Sequence, residues 1–92
     1  VTVTGVHLQA DGRYVAEGTV TIRDLNREFE WNLPDEDAST IAGLILHESR
    51  RIPDVGQAFM FHGFRFEILQ RHRNQITSVG MTPPDEHLLP GT

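Results

Sequence analysis

The chain contains no cysteine. Disulfides and thiolate metal ligands are both excluded, which fits a reducing compartment. No apolar run approaches the roughly 20 residues that a spanning helix needs, and no secretory leader pattern is visible. Direct insertion of this domain into a bilayer is not expected. Basic charge is scarce as well: eight basic side chains face thirteen acidic ones, giving a net charge of -5 and a pI near 5.4. That is the wrong sign for nucleic acid, whose recognition needs a basic surface to release counterions. The pairs Arg50-Arg51 and Arg71/Arg73 read as a solvated helix end and a solvated turn, with a local anion site as the lesser alternative. Catalytic signatures are missing too. Ser39, Ser49 and Ser78 lack the G-x-S-x-G setting of a nucleophile, and Gly56 and Gly63 stand alone rather than in a phosphate-cradling loop.

What is present suffices for one small domain. Ninety-two residues cannot support two independent cores, and an apolar content of 38% lies well above that of a disordered segment. The sequence opens on Val1 without an initiator methionine, so it is expected to be part of a longer protein. Any membrane or catalytic partner would then lie on the missing part.

Val6 and Leu8 alternate with polar residues, Asp11-Gly12 marks a tight type I′ turn, and Tyr14 to Glu17 resumes the extended pattern. Thr21 and Asp24 have the spacing of a capping box, and Ile22, Leu25 and Phe29 form one face of a two-turn helix. Pro34 ends that region. The main helix is expected over Ala38 to Arg51, with Asp35, Glu36 and Asp37 at its start and arginines at its end to match the helix dipole. Gly43 lies inside it and is expected where another backbone packs closely. Beyond Pro53, Phe59, Phe61, Phe64, Phe66 and Ile68 line one face of two strands joined at His62-Gly63, while Met60, Arg65 and Glu67 take the other. This hairpin is expected to be the largest source of core. Gln75 to Met81 forms a last strand, and residues 82–92 read as a flexible Pro-rich tail. The order β-β-α-α-β-β-β is that of an α+β domain, with a small antiparallel or mixed sheet and two helices on one face.

Few residues carry candidate chemistry. His7, His47, His62, His72 and His87 are scattered without metal-ligand spacing. Asp35, Glu36 and Asp37 offer the oxygen ligands that Mg²⁺ prefers, but their consecutive spacing is that of helix-initiating acids, so they are weak metal candidates. Phe29 and Trp31, in the acidic-aromatic run REFEW, are the interaction candidates: buried anchors, or a partner surface if Trp31 is exposed.

Taken in order, DGRYVAEGTVTIRDLN (Asp11 to Asn26), Pro34 with STIAGLIL (Ser39 to Leu46), IPDVGQ (Ile52 to Gln57), FHGFRFEIL (Phe61 to Leu69) and QITSVGM (Gln75 to Met81) resemble the transporter-associated domain of CorC and HlyC-like proteins. The match runs over residues 6 to 81. The resemblance implies a non-enzymatic regulatory or interaction domain at the cytoplasmic end of a membrane protein, following transmembrane and CBS domains and linked to magnesium and cobalt efflux. It carries no catalytic residues. The fold is shared with FAD-binding domains, so a flavin or adenine-nucleotide site is the alternative, and a hemolysin-like toxin a more distant one. A homodimer is compatible with it. ESRRIP (Glu48 to Pro53) has no glycine before Ile52-Pro53, unlike many relatives, which implies a longer helix end.

Overall fold

The computed structural model describes residues 4–84. Five strands and two helices follow in the order β1 (Val6–Leu8), β2 (Tyr14–Glu17), α1 (Ile22–Phe29), α2 (Ile41–Ser49), β3 (Ala58–Phe61), β4 (Phe64–His72) and β5 (Gln75–Thr82). The strands form one sheet, ordered β1-β2-β5-β4-β3, and every neighbouring pair is antiparallel. The expected α+β architecture is thus observed, as a fully antiparallel sheet. β5 runs to Thr82, and the rest of the expected tail from 85 onward, His87 included, lies outside the described residues.

Side-chain alternation sends Ala16, Phe64, Phe66, Ile68, Val79 and Met81 to one face, where they join Ile22 and Leu25 of α1 and Ile41, Leu44 and Ile45 of α2 in a single buried cluster. Both helices therefore cover the same face. Phe66 is completely buried, worth roughly 1.5–3 kcal/mol by area, and β4 supplies Phe64, Phe66 and Ile68 to the core while Phe59 and Phe61 of β3 pack half-buried against it. β5 supplies as many buried residues as the hairpin, with Ile76, Val79 and Met81. Ile76 joins that core although two residues rather than one separate it from Val79, because the β4-β5 register shifts between Ile68 and Arg71.

The helix starts are tied together. Thr21 and Thr40, the two N-caps, form an isolated bridge, and their hydroxyls accept from the Asp24 and Gly43 N–H groups at 3.2 and 3.1 Å. α2 consequently begins at Ile41, and Asp35, Glu36 and Asp37 lie outside it with no acid in its first turn. The expected start at Ala38 fails because Thr40 offers a hydroxyl cap in extended conformation, while Ser39 gives its carbonyl to Ile22 N–H at 2.9 Å. The helix also ends early. Arg50 turns to φ +59 and its N–H donates to the Leu46 carbonyl at 3.0 Å, so arginine occupies the left-handed capping position usually left to glycine.

Two further expectations are corrected. In the β1-β2 loop only Gly12 has positive φ (+90), and Gly12 N–H donates to the Gln9 carbonyl at 3.1 Å. This is a type I turn followed by a left-handed glycine rather than a two-residue type I′ turn. The type I′ signature instead falls at His62-Gly63, where φ is +54 and +84 between the paired Phe61 and Phe64. Gly43 meets only Thr40 and Ala38 of its own neighbourhood. The close backbone approach is at Gly18, where a Cβ would collide with the Ile76 carbonyl and reach to 3.0 Å from the Ala42 Cβ.

Candidate functional site

Phe29 and Trp31 do not stand out as an exposed patch. Trp31 is half-buried where α1 gives way to coil, edge-on to Tyr14 at 5.2 Å and to Phe64 at 4.9 Å between ring centroids, and Phe29 lies 4.8 Å from both Tyr14 and Trp31. The four rings close one end of the core. A pair of hydrogen bonds sets the path that leads Trp31 there. The Asn26 amide donates to the Leu33 carbonyl and accepts from the Leu33 N–H, both at 2.9 Å. Sequence patterning gave no hint of this clamp, since an asparagine inside a helical run reads as a solvated position.

Asp35, Glu36 and Asp37 are exposed on the link between the helices, with Asp37 3.4 Å from His47. Asp35 lines a cleft of about 260 Å³ with Thr21, Arg23 and Ser39. Among the described residues no three His, Cys, Asp or Glu side chains converge as a metal site would require. His62, at the hairpin tip, instead bonds Glu48 of α2 at 2.7 Å.

A larger cleft of about 450 Å³ opens between α2 and the β2-β5 pair, lined among others by Gly18, Thr40, Gly43 and Thr77. It faces the start of a helix, where anions commonly bind. Here those donors are already used. Ile41 N–H donates to the Val20 carbonyl at 2.9 Å, Ala42 N–H to the Gly18 carbonyl at 3.0 Å, and Gly43 N–H to the Thr40 hydroxyl. The terminus fastens α2 to the sheet rather than presenting free N–H groups.

Among the described residues, the other face of the sheet carries no helix. On it Arg13 passes over Gly80 to reach Glu67 at 3.3 Å, and Arg65 meets the same carboxylate oxygen at 3.3 Å. Val15, opposite Gly80 in the register, and Leu69, whose side chain reaches to 3.5 Å from the position of a Gly80 Cβ, add apolar surface beside this network. Arg13 is held from behind by Asp11. The Arg13 backbone N–H, and then the guanidinium, keep the Asp11 carboxyl below its usual range. The alternation of Arg65 and Glu67 was legible in the sequence; the reach of Arg13 from a turn was not. At the sheet's rim, Met60 of β3 is 68% exposed and Val55, just before it, 59%.

The sequence model of the CorC_HlyC transporter associated domain matches residues 8–85. The chain belongs to this family. It is 35% identical over 75 residues to an inner membrane protein of Escherichia coli, YfjD, covering 82% of this chain and 18% of that protein. It is 28% identical over 64 residues to a magnesium and cobalt efflux protein CorC of Buchnera aphidicola, covering 70% of this chain and 22% of the relative. The chain thus spans about a fifth of the length of these relatives. Among solved structures, a conserved protein of unknown function from Haemophilus influenzae superposes with a TM-score of 0.83 at 35% identity, covering 87% of this chain and 99% of that one. The transporter associated domain of a CBS domain protein from Porphyromonas gingivalis shares the fold, with a TM-score of 0.74 at 24% identity over 88% of this chain and 99% of that one. Among the described residues, no helix of this transporter associated domain is long and apolar enough to cross a membrane.

Proposed function

We propose that this transporter associated domain is a non-enzymatic regulatory part of a membrane ion transporter, and that it acts by docking its helix-free sheet face on neighbouring parts of the same protein. The observation that carries this reading is the uncovered face itself, where Val15 and Leu69 flank the Arg13-Glu67-Arg65 network on a domain whose core is complete without it. Burying such a face against a partner follows the usual anatomy of an interface, an apolar centre with polar groups around it. The partners are the CBS and transmembrane domains of the parent protein, because relatives several times longer than the chain include an inner membrane protein, and one with the same fold comes from a CBS domain protein. On this reading the domain lies on the cytoplasmic side. The transported ions are the magnesium and cobalt of the named efflux relatives.

Neither flavin nor adenine nucleotide enters this mechanism, since the donors at the start of α2 that would hold a phosphate are engaged by Val20, Gly18 and Thr40. Substituting Val15→Glu and Leu69→Glu in the full-length parent protein is expected to alter Mg²⁺ efflux several-fold at unchanged expression. The purified domain carrying the same changes should keep its far-UV circular dichroism. Unaltered efflux in both variants overturns the docking reading. Calorimetry with FAD, ATP and AMP is expected to show no binding heat, and a saturable signal from any of them would replace regulation by docking with regulation by ligand.

A further inference from the structure

Edge strands in soluble proteins are ordinarily guarded by charged side chains, proline, bulges or a covering element. Among the described residues, β3 has none of these along its length. It reads Ala58-Phe59-Met60-Phe61, four apolar residues, in a chain whose eight basic residues are all arginine and none of which falls on this strand. Ala58 and Met60 are exposed, and Phe59 and Phe61 are half-buried on the helix side. The opposite edge strand, β1, is shorter and carries His7 between its apolar residues.

The register tells which backbone groups of β3 are unpaired. Phe61 and Phe64 flank the two-residue turn, so they exchange hydrogen bonds, and the antiparallel alternation makes Phe59 and Phe66 the next such pair. Ile68 follows, bonded to Gly56 and Gln57 at 2.8 and 2.9 Å. Ala58 and Met60 fall between these pairs, opposite Glu67 and Arg65, whose own backbone groups point toward β5. The N–H and C=O groups of Ala58 and Met60 therefore face away from the sheet.

We infer that β3 pairs antiparallel with β3 of a second copy of this chain about a two-fold axis at Phe59, joining two five-stranded sheets into one. The strand is self-complementary in that register. Ala58 of one copy lies opposite Met60 of the other, so every outward N–H and C=O finds a partner and four hydrogen bonds form. A shift by one step in either direction brings Met60 opposite Gly56 or Ala58 opposite His62. The first is already bonded to Ile68 and the second lies in the turn at positive φ, so half the bonds are lost. Side chains agree with the backbone. On the helix side Phe59 meets its own symmetry mate, on the other side Ala58 meets Met60, and no charge of either sign lies opposite a like charge. A foreign strand could use the same edge, but a second copy carries the same unpaired Ala58 and Met60 groups, so one pairing satisfies both edges at once. The inference is independent of any role in transport.

The test uses the register. The chain is free of cysteine, so a single introduced thiol has only its symmetry mate to react with. Phe59→Cys places two sulfurs across a non-hydrogen-bonded pair with Cα atoms about 4.5 Å apart, within disulfide range. Met60→Cys places them beyond about 7 Å, outside that range. Under mild oxidation the first should cross-link rapidly and the second slowly, while sedimentation of the unmodified chain should show a species of twice the 10.4 kDa chain mass. Ala58→Pro removes an outward donor that the monomer does not use, so the fold should survive. Its dimer should weaken about tenfold per lost donor. Met60→Lys, a surface change, should weaken it similarly if the proline variant fails to fold. A monomer throughout the concentration range overturns the inference. So does a dimer that survives both substitutions, or one in which Met60→Cys cross-links as fast as Phe59→Cys. Pairing that appears only after truncation at Pro84 overturns it as well.

Discussion

Two glycines of this domain look alike in sequence and differ in what surrounds them. Gly18 sits where β2 leaves the sheet, its N–H bonded to the Thr77 carbonyl and its own carbonyl holding Ala42. A methyl group there meets the Ile76 backbone, which cannot yield without moving β5. Gly80 faces Leu69 and Arg13 side chains at ordinary contact distances. Gly18→Ala should therefore destabilise by about 2 kcal/mol or more, as overpacking does. Gly80→Ala should be neutral or stabilising by about 0.5 kcal/mol, through the lower entropy of the unfolded chain. Urea denaturation of the two variants checks this, and equal losses would show that the space around them is not what separates them.

At the scale of elements, α2 ends on Arg50 in the left-handed conformation, a position that costs an L-residue about 1–2 kcal/mol relative to right-handed helix. Arg50→Gly should raise stability by about 0.5–1 kcal/mol, because the capping bond from this N–H to the Leu46 carbonyl is retained without the Cβ. A fall in the melting temperature would mean that the arginine side chain contributes more than its backbone costs. The absence of a glycine at this point is visible in the sequence, where it implies a longer helix end. Sequence patterning sees a helix continue until a stop residue appears, whereas the fold turned the chain at Arg50 to bury Pro53. The same limit explains the start. Asp35, Glu36 and Asp37 have the composition of a first turn, yet the bridge between Thr21 and Thr40 fixes the entry of α2. Elements whose signal is periodic were legible: the phenylalanine hairpin, the face of α1 and the strand order of types. What depends on contacts between distant segments was not, including the Asn26 clamp, the bulged pairing of β4 with β5 and the free edge of β3.

For the molecule as a whole, one cluster of buried residues draws on both helices and four of the five strands, with Phe59 and Phe61 of β3 packed half-buried against it, and no second core divides it among the described residues. Such a domain should unfold in a single cooperative transition. Trp31 makes that expectation easy to examine. It is the chain's one tryptophan, and it stacks edge-on against Tyr14 of β2 and Phe64 of β4 just after α1. Its emission should shift when any of those three elements comes apart, while far-UV circular dichroism follows the backbone of them all. Superimposable curves from the two signals confirm one unit, and an earlier fluorescence change would mark the α1 end as a separate unit. The ring cluster thus gives the domain an intrinsic optical reporter at the junction of helix and sheet, able to follow each substitution discussed above without an added label.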